Sequence, residues 1–166
     1  MATLNVHYLP QFVSEADLAD RTVLVVDLLR ASTTICYALA RGAESVRPFL
    51  EVDLVRRAAE GLDRARIVMG GERDGRIIDG FDLGNSPEEY RAEEVFGRTV
   101  LFTTTNGTRA LDHARLARRV VVAAAVNRAA AATAVAEDEH LDILCAGTGG
   151  VVTREDVLAA GALVRS

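Results

Sequence analysis

The amino-acid sequence predicts an α/β fold in which a layered sheet is built by strand–helix alternation. Short apolar runs alternate with segments of helical period along the chain, and turn residues mark most of the boundaries. Three of the apolar runs end in a small polar loop that opens a helix-like stretch. The 166 residues are enough for a hydrophobic core, and we expect one α/β domain over residues 1–166.

The predicted strands are short runs in which apolar and β-branched residues dominate. In chain order they are Leu4–Tyr8, Val23–Asp27, Ser45–Phe49, Arg66–Met69, Arg98–Phe102, Arg119–Ala124 and Asp142–Cys145. The predicted helices lie between them and after the last one, at Ser32–Arg41, Val52–Leu62, Pro87–Ala92, Thr108–Ala114, Arg128–Glu137 and Glu155–Val164. This order favours parallel strands covered by helices.

Local signals support the boundaries of two helices and leave one segment open. Gly42 is a typical stop after the first helix, and Ser86 with Pro87 and Glu89 has the pattern of a capping box with proline at the first helical position. The segment Gly70–Ser86 holds five glycines and four acids without a clear period. Because loops of that length in a compact domain are usually functional, we expect it to contribute to a site.

Composition excludes several classes of function. All 19 basic residues are arginine, so a Walker A lysine and a lysine Schiff base are both excluded. The net charge of −5 argues against non-specific nucleic-acid binding, and no apolar run approaches the roughly 20 residues of a membrane span. The N-terminus lacks signal-peptide features, so we expect a cytoplasmic protein. Its two cysteines read as buried free thiols, and its three scattered histidines make a zinc site improbable.

The polar loops after three strands carry groups suited to binding an anion. Arg30 stands beside Ser32, Thr33 and Thr34, and Arg109 stands beside Asn106, Gly107 and Thr108. The third loop contains Thr148 among glycines. In one parallel sheet all three would lie at the carboxyl edge, where open α/β folds bind ligands. Arginine with hydroxyls and backbone N–H groups is the chemistry of a phosphate site, although helix capping explains part of each hydroxyl run.

Acidic side chains near these loops are candidate metal ligands, each with a plainer alternative. Asp27 ends a strand and is either a metal ligand or nucleophile, or a carboxylate bonded to a loop amide or arginine. Glu72 and Arg73 are either a surface ion pair or groups that reach a metal and a phosphate. Asp82 suits a magnesium ligand and Asn85 a substrate hydrogen bond. Asp156 is explained equally well by the dipole of its helix.

Five motifs in order along the chain resemble those of the 2-phosphosulfolactate phosphatase family. They cover nearly the whole chain and are Val25–Thr34, Gly71–Arg73, Phe81–Pro87, Thr103–Arg109, and Cys145–Thr148 with Glu155-Asp156. The resemblance implies a magnesium-dependent phosphatase with its own α/β fold, which hydrolyses 2-phospho-3-sulfolactate to 3-sulfolactate and phosphate on the route to coenzyme M. It also implies that family members continue several tens of residues further, and it makes a homo-oligomer plausible.

The resemblance implies a site that is formed by all the candidate residues together. We expect Asp27, Arg30 and Arg109 to be catalytic, and Mg²⁺ to take its ligands from Asp27, Glu72, Asp82 and Asp156. The residues expected to bind the small anionic phosphorylated substrate are Ser32, Thr33, Thr34, Arg73, Asn85, Ser86, Asn106, Gly107, Thr108 and Thr148. The nucleophile is either a magnesium-activated water or Asp27 itself.

Two other classes of function remain open from the sequence. The chain could be a non-catalytic binding module for a phosphorylated or sulfonated small acid, or an isomerase or lyase acting on a phosphorylated acid. Magnesium-dependent phosphate release would distinguish the phosphatase from both.

Overall fold

A computed structural model describes residues 3–166, which form two four-stranded sheets. The first sheet has the order β1-β8-β2-β7, and all neighbouring strands in it are parallel. Its strands are β1 (Thr3–His7), β2 (Thr22–Val26), β7 (Arg119–Val122) and β8 (His140–Cys145). The second sheet has the order β3-β6-β4-β5, with β5 antiparallel to β4 and the other pairs parallel. Its strands are β3 (Ser45–Pro48), β4 (Ile67–Arg73), β5 (Arg76–Ile77) and β6 (Thr99–Thr103).

Six α-helices within the described residues pack around these sheets. They are α1 (Ala31–Ala40), α2 (Val52–Glu60), α3 (Ala92–Val95), α4 (Gly107–His113), α5 (Arg128–Ala134) and α6 (Arg154–Val164). The α/β class with strand–helix alternation that the sequence predicts is therefore confirmed.

Strand β2 is buried along its whole length because helices cover both of its faces. Leu24 and Val26 pack into one core with α5 and α6, whereas Val23 and Val25 point into another with α4. A central parallel strand needs apolar residues on both faces, which explains the unbroken run Thr22–Val26. Strand β6 is built in the same way, with Phe102 in one core and Leu101 in another.

The expectation of a single sheet edge for the three polar loops is wrong, because the loops belong to two sheets. Strands β2 and β8 lie in the first sheet, and β6 lies in the second. The apolar pattern of a strand shows that it is covered on both faces but carries no information on which strand it pairs with. Pairing is set by contacts between residues far apart in sequence.

Two helices each pack against the sheet opposite to the one whose strand they follow. This packing brings the loops of the two sheets together. Helix α1 follows β2 of the first sheet, but its Ala31 and Ile35 pack with Val100 and Phe102 of the second. Helix α4 follows β6 of the second sheet, but its Ala110 packs with residues of the first. The start of α1 and the start of α4 therefore meet between the sheets.

Most predicted elements agree with the structure to within a few residues, but the helix predicted at Pro87–Ala92 is wrong. The chain there forms a 3₁₀ turn at Pro87–Glu89, and α3 follows separately. Tyr90 separates the two because its side chain is buried and its hydroxyl donates to the carbonyl of Gly84 at 2.7 Å. Glu89 accepts a hydrogen bond from the Ser86 N–H at 3.3 Å, as the capping-box pattern predicts.

The segment Gly70–Ser86, predicted as a long loop, begins with regular structure. Strand β4 continues through it to Arg73, and a turn with positive φ at Asp74 and Gly75 leads into β5. Sequence reasoning missed this hairpin because β5 has only two residues, too few for a periodic signal. Both cysteines are free, as predicted, but only Cys145 is buried, whereas Cys36 is half-buried. Within residues 3–166 no helix is long and apolar enough to cross a membrane.

Candidate anion and metal site

Asp27 lies directly after β2, at the junction of the two sheets, and the residue is only 9% exposed. Burial raises the pKa of Asp27 to about 7, and the negative charges of Asp156, Glu72 and Glu155 push it in the same direction. The Ala31 N–H, which donates to the carboxylate, counteracts part of this rise. No arginine of the described residues forms an ion pair with Asp27. The site therefore holds more negative charge than its own side chains balance.

The first residue of α4 contacts the Asp27 carboxylate closely enough to require glycine. A Cβ atom added at Gly107 would stand 2.6 Å from Asp27 Oδ2 and 2.4 Å from the Cβ of Ala31. Real Cβ atoms do not approach neighbours this closely. Gly107 therefore allows the loop after β6 to approach the loop after β2, which is the structural reason for its presence in the motif.

Asp156 connects two loops of the first sheet. It is buried in the first turn of α6; its Oδ1 accepts the Leu28 N–H at 2.8 Å, and its Oδ2 accepts the Gly147 N–H at 2.9 Å. Burial raises the pKa of Asp156, and the two N–H donors counteract that rise. Each carboxylate oxygen thus already has a main-chain partner.

Glu72 connects two loops of the second sheet in a similar way. Its Oε1 accepts the Thr105 N–H at 2.7 Å, and its Oε2 accepts the Gly75 N–H at 2.8 Å and the Thr105 hydroxyl at 3.2 Å. The side chain is 8% exposed. Neither a surface ion pair with Arg73 nor a freely available metal ligand describes this arrangement.

The three arginines predicted for the site fall into two groups. Arg30 and Arg109 are exposed, and neither makes a side-chain hydrogen bond or ion pair with the residues that the structure describes. Arg73 donates to the carbonyl of Leu50 at 2.8 Å, to that of Glu72 at 2.8 Å and to the Thr103 hydroxyl at 2.9 Å. Arg30 and Arg109 are thus available to an anion, whereas Arg73 supports the fold around β4.

The hydroxyl groups of Ser32, Thr33 and Thr34, which follow Asp27, all donate hydrogen bonds within the protein. Ser32 donates to the carbonyl of Val25 at 3.2 Å and accepts the Asp27 N–H at 2.9 Å. Thr33 donates to Leu28, and Thr34 donates to the carbonyl of Asn85 at 3.0 Å. These bonds fix the backbone around Asp27, and direct binding of substrate by the three hydroxyls stays a prediction.

The loop after β6 is held together by its own side chains. Thr104 and Thr108 each accept the N–H of the other at 3.2 Å. Asn106 Oδ1 accepts the Gly149 N–H at 3.1 Å, which connects this loop to the one after β8. Thr148 in that third loop is exposed, and its main chain pairs with Val151.

Asp82 is held by other residues, away from these contacts. Its carboxylate accepts hydrogen bonds from the Arg64 guanidinium at 2.7 Å and from the Met69 N–H of β4 at 2.8 Å. The structure therefore gives Asp82 a bracing role and does not bring it to Asp27. Ser86 caps the turn described above. Asn85 is buried, and its Oδ1 lacks a partner among the described residues, so it retains capacity for a ligand.

The donor set suits a single magnesium ion held mainly by Asp27. Among residues 3–166 no group of three or more His, Cys, Asp or Glu side chains is arranged to hold a metal. Magnesium needs only one or two carboxylates, with water and substrate phosphate completing its coordination. Asp27 has unfilled lone pairs in a region of uncompensated negative charge, so these residues fit Mg²⁺ in that mode.

Sequence reasoning missed one buried polar cluster, on strands β1 and β8. Asp142 is 1% exposed and accepts hydrogen bonds from His7 at 2.7 Å, from Asn5 at 3.1 Å and from Arg21. Its charge is thus paired, and the cluster holds the edge strand β1 in register. The alternation of Asn5 and His7 with apolar residues was the only sequence signal for it.

Comparisons with known proteins agree on one family. A family model described as 2-phosphosulpholactate phosphatase matches residues 7–166. Proteins named "Probable 2-phosphosulfolactate phosphatase" are 41% identical over 152 residues in Caldanaerobacter subterraneus subsp. tengcongensis and 44% identical over 149 residues in Symbiobacterium thermophilum. These alignments cover 91% and 89% of this chain, but only 63% and 64% of the relatives. The chain thus spans less than two thirds of the length of these curated relatives.

Proposed function

The chain belongs to the 2-phosphosulfolactate phosphatase family, and from this premise we propose that it carries the phosphoryl-transfer site of a magnesium-dependent phosphatase. The proposed reaction hydrolyses 2-phospho-3-sulfolactate to 3-sulfolactate and phosphate. The names of the relatives support this substrate. A cytoplasmic location, a homo-oligomeric state and a role on the route to coenzyme M remain predictions of the same proposal.

The observation that supports the proposal best is the environment of Asp27. This carboxylate is buried, forms no ion pair within the described residues and lies at the junction of loops from both sheets. A purely structural aspartate in this position would be neutralised by a neighbour such as an arginine. Titratable groups whose pKa is shifted in this way are concentrated at functional sites.

The exposed arginines suit the charge of the substrate. The substrate carries a phosphate, a sulfonate and a carboxylate, and Arg30 and Arg109 are unpaired within the described residues at the starts of α1 and α4. Guanidinium groups bind such acids through paired hydrogen bonds. In the transition state, they neutralise charge on the transferring phosphoryl oxygens.

Asp27 has one of two roles in the bond changes. In the first, a water oxygen forms the new bond to phosphorus, the bond from phosphorus to the ester oxygen breaks, and Asp27 takes the proton from the water. In the second, an Asp27 oxygen attacks phosphorus directly, and water later hydrolyses the resulting acyl phosphate. In both routes the leaving oxygen of 3-sulfolactate takes a proton from solvent water. Magnesium, when bound, supplies positive charge at the phosphoryl oxygens and favours deprotonation of water.

The test is phosphate release from 2-phospho-3-sulfolactate by this chain, with Mg²⁺ and with EDTA. A second protein carries the remainder of the Caldanaerobacter relative fused to this chain, because the chain spans 63% of that relative. Metal-dependent release by both proteins, or by the longer one alone, supports the proposal. Absence of release by both, with the substrate still bound, would favour the non-catalytic binding module. A product that retains its phosphate would indicate an isomerase or lyase.

A further inference from the structure

We propose that Asp156 and Glu72 are positioning residues, which lock the loops around Asp27 through main-chain N–H groups, rather than ligands of the metal. This inference rests on the proposed function in taking Asp27 as the reacting carboxylate. It assigns different roles to three carboxylates, those of Asp27, Asp156 and Glu72, which the sequence pattern does not distinguish.

The contacts of Asp156 support this role on the first sheet. Its two oxygens are bonded to Leu28, the residue after Asp27, and to Gly147, in the loop after β8. Asp156 is only 2% exposed, so it is removed from solvent, and both bonds to its carboxylate are charge-assisted. Asp156 therefore fixes the backbone next to Asp27 relative to the neighbouring strand.

Glu72 does the same for the second sheet. It joins the β4–β5 turn at Gly75 to Thr105 in the loop after β6. A Cβ atom at the preceding residue, Gly71, would stand 1.9 Å from the carbonyl oxygen of Thr103, so the two strand ends are already in close contact. Glu72 thereby holds the loop that delivers Gly107 to Asp27.

Together with Asn106, these side chains connect four loops from two sheets. Asp156 joins the loops after β2 and β8, Asn106 joins those after β8 and β6, and Glu72 joins that after β6 to the turn after β4. A carboxylate is suited to such a junction because it accepts on both oxygens, whereas an amide side chain accepts on one. Asp156→Asn or Glu72→Gln would leave one main-chain N–H facing an NH₂ group.

Amide hydrogen exchange of the metal-free protein tests the positioning role directly. In Asp156→Asn we expect exchange to accelerate at least tenfold at Leu28 or Gly147, whichever N–H faces the new NH₂ group, with little change at Thr105 and Gly75. In Glu72→Gln we expect the reverse pattern. Unchanged exchange at these amides would overturn the proposal. If Asp156→Asn does not fold, Glu72→Gln and the wild-type protein decide the matter, because the proposal requires Leu28 and Gly147 to exchange as slowly as the amides of β2.

Metal affinity and kinetics distinguish positioning from ligation. The probe is Mn²⁺, with its Kd measured by electron paramagnetic resonance. We expect Asp27→Asn to weaken Mn²⁺ binding at least tenfold, and Asp156→Asn and Glu72→Gln to stay within about threefold of wild type while kcat falls more than KM rises. Loss of Mn²⁺ binding in either variant, equal to that in Asp27→Asn, would overturn the proposal. If the wild type neither binds Mn²⁺ nor releases phosphate, the proposed function fails, and the exchange data still decide the positioning role.

Discussion

The loop after β2 and the loop after β6 have similar sequences but different environments. Both follow a buried strand, both are rich in hydroxyls and both carry an exposed arginine. The β2 loop contains its own carboxylate, Asp27, which forms no ion pair with any described residue. The β6 loop has no acid of its own and is held by Glu72 from β4.

This difference shows that composition alone does not distinguish a loop that carries the reacting group from a loop that borders the site. In the β6 loop, the amide and hydroxyl of Thr105 already have a partner. In the β2 loop, the hydroxyls hold the backbone and the carboxylate keeps unused capacity. Under the proposed function, the β2 loop supplies the reacting carboxylate, and the β6 loop supplies Arg109 beside it.

The largest expected effect comes from removing the carboxylate of the β2 loop. Asp27→Asn should lower the rate of phosphate release at least about 10³-fold, because either proposed role of Asp27 needs a carboxylate. Asp82→Asn is the matched control, since Asp82 is bonded to Arg64 and Met69 away from the site, and it should stay within about threefold of wild type. Near-normal turnover by Asp27→Asn would contradict the assignment of Asp27 as the reacting carboxylate.

The next effect concerns the arginine that each loop presents. Arg30→Ala and Arg109→Ala should each lower kcat/KM about 10²-fold, the equivalent of one charge-assisted hydrogen bond, without lowering Tm. Arg73→Ala should instead lower Tm, because it removes donors to Leu50 and Thr103. Steady-state kinetics and thermal melts of the three variants distinguish these outcomes. A fall in Tm for Arg30→Ala with unchanged kcat/KM would contradict the assignment.

The contact between the two loops can be tested with a single methyl group. Gly107→Ala should destabilise the protein by about 2 kcal/mol and lower turnover, because its Cβ would collide with Asp27 and Ala31. Gly161→Ala is the matched control within α6, where an added Cβ meets nothing within 4 Å, and it should be neutral or stabilising by up to about 1 kcal/mol. Urea unfolding measures both. Equal stability of the two variants would show that the loops are not in close contact.

The last prediction concerns the pH dependence that Asp27 imparts to stability. Its pKa is raised from 3.8 to about 7, so the folded protein binds more protons than the unfolded chain between these values, and stability falls as pH rises through this range. In EDTA, Asp27→Asn should therefore gain up to about 4 kcal/mol over wild type at pH 8 and nothing near pH 3.5. Parallel stability curves for the two proteins would refute the raised pKa.

The sequence was sufficient for most elements because their signals are local. The unbroken run Thr22–Val26 and the glycine after α1 place a strand and a helix end within a few residues. The two-residue strand β5 and the break at Tyr90 left no periodic signal. The division into two sheets depends on α1 and α4 packing against the opposite sheet, which no local pattern encodes.

The sequence predicted which residues form the candidate site better than it predicted what each residue does there. The motifs pointed to Asp27, Glu72 and Asp156, and the structure places all three within electrostatic reach. That Asp156 and Glu72 are bonded to main-chain N–H groups depends on tertiary contacts with Leu28, Gly147 and Thr105. Asp82 has the same chemistry and proximity in sequence, yet its bond to Arg64 directs it elsewhere.

The most direct test of the central claim is a titration of the ¹⁵N-labelled protein with inorganic phosphate in the presence of Mg²⁺. Phosphate is the product of the proposed reaction and should bind where the chemistry occurs. We predict the largest amide shifts at Leu28–Ser32, with smaller shifts at Thr105–Thr108. Shifts confined to the groove between α5 and α6, which is lined by Arg128 and Arg165, would contradict the account. That result would place the anion site away from Asp27.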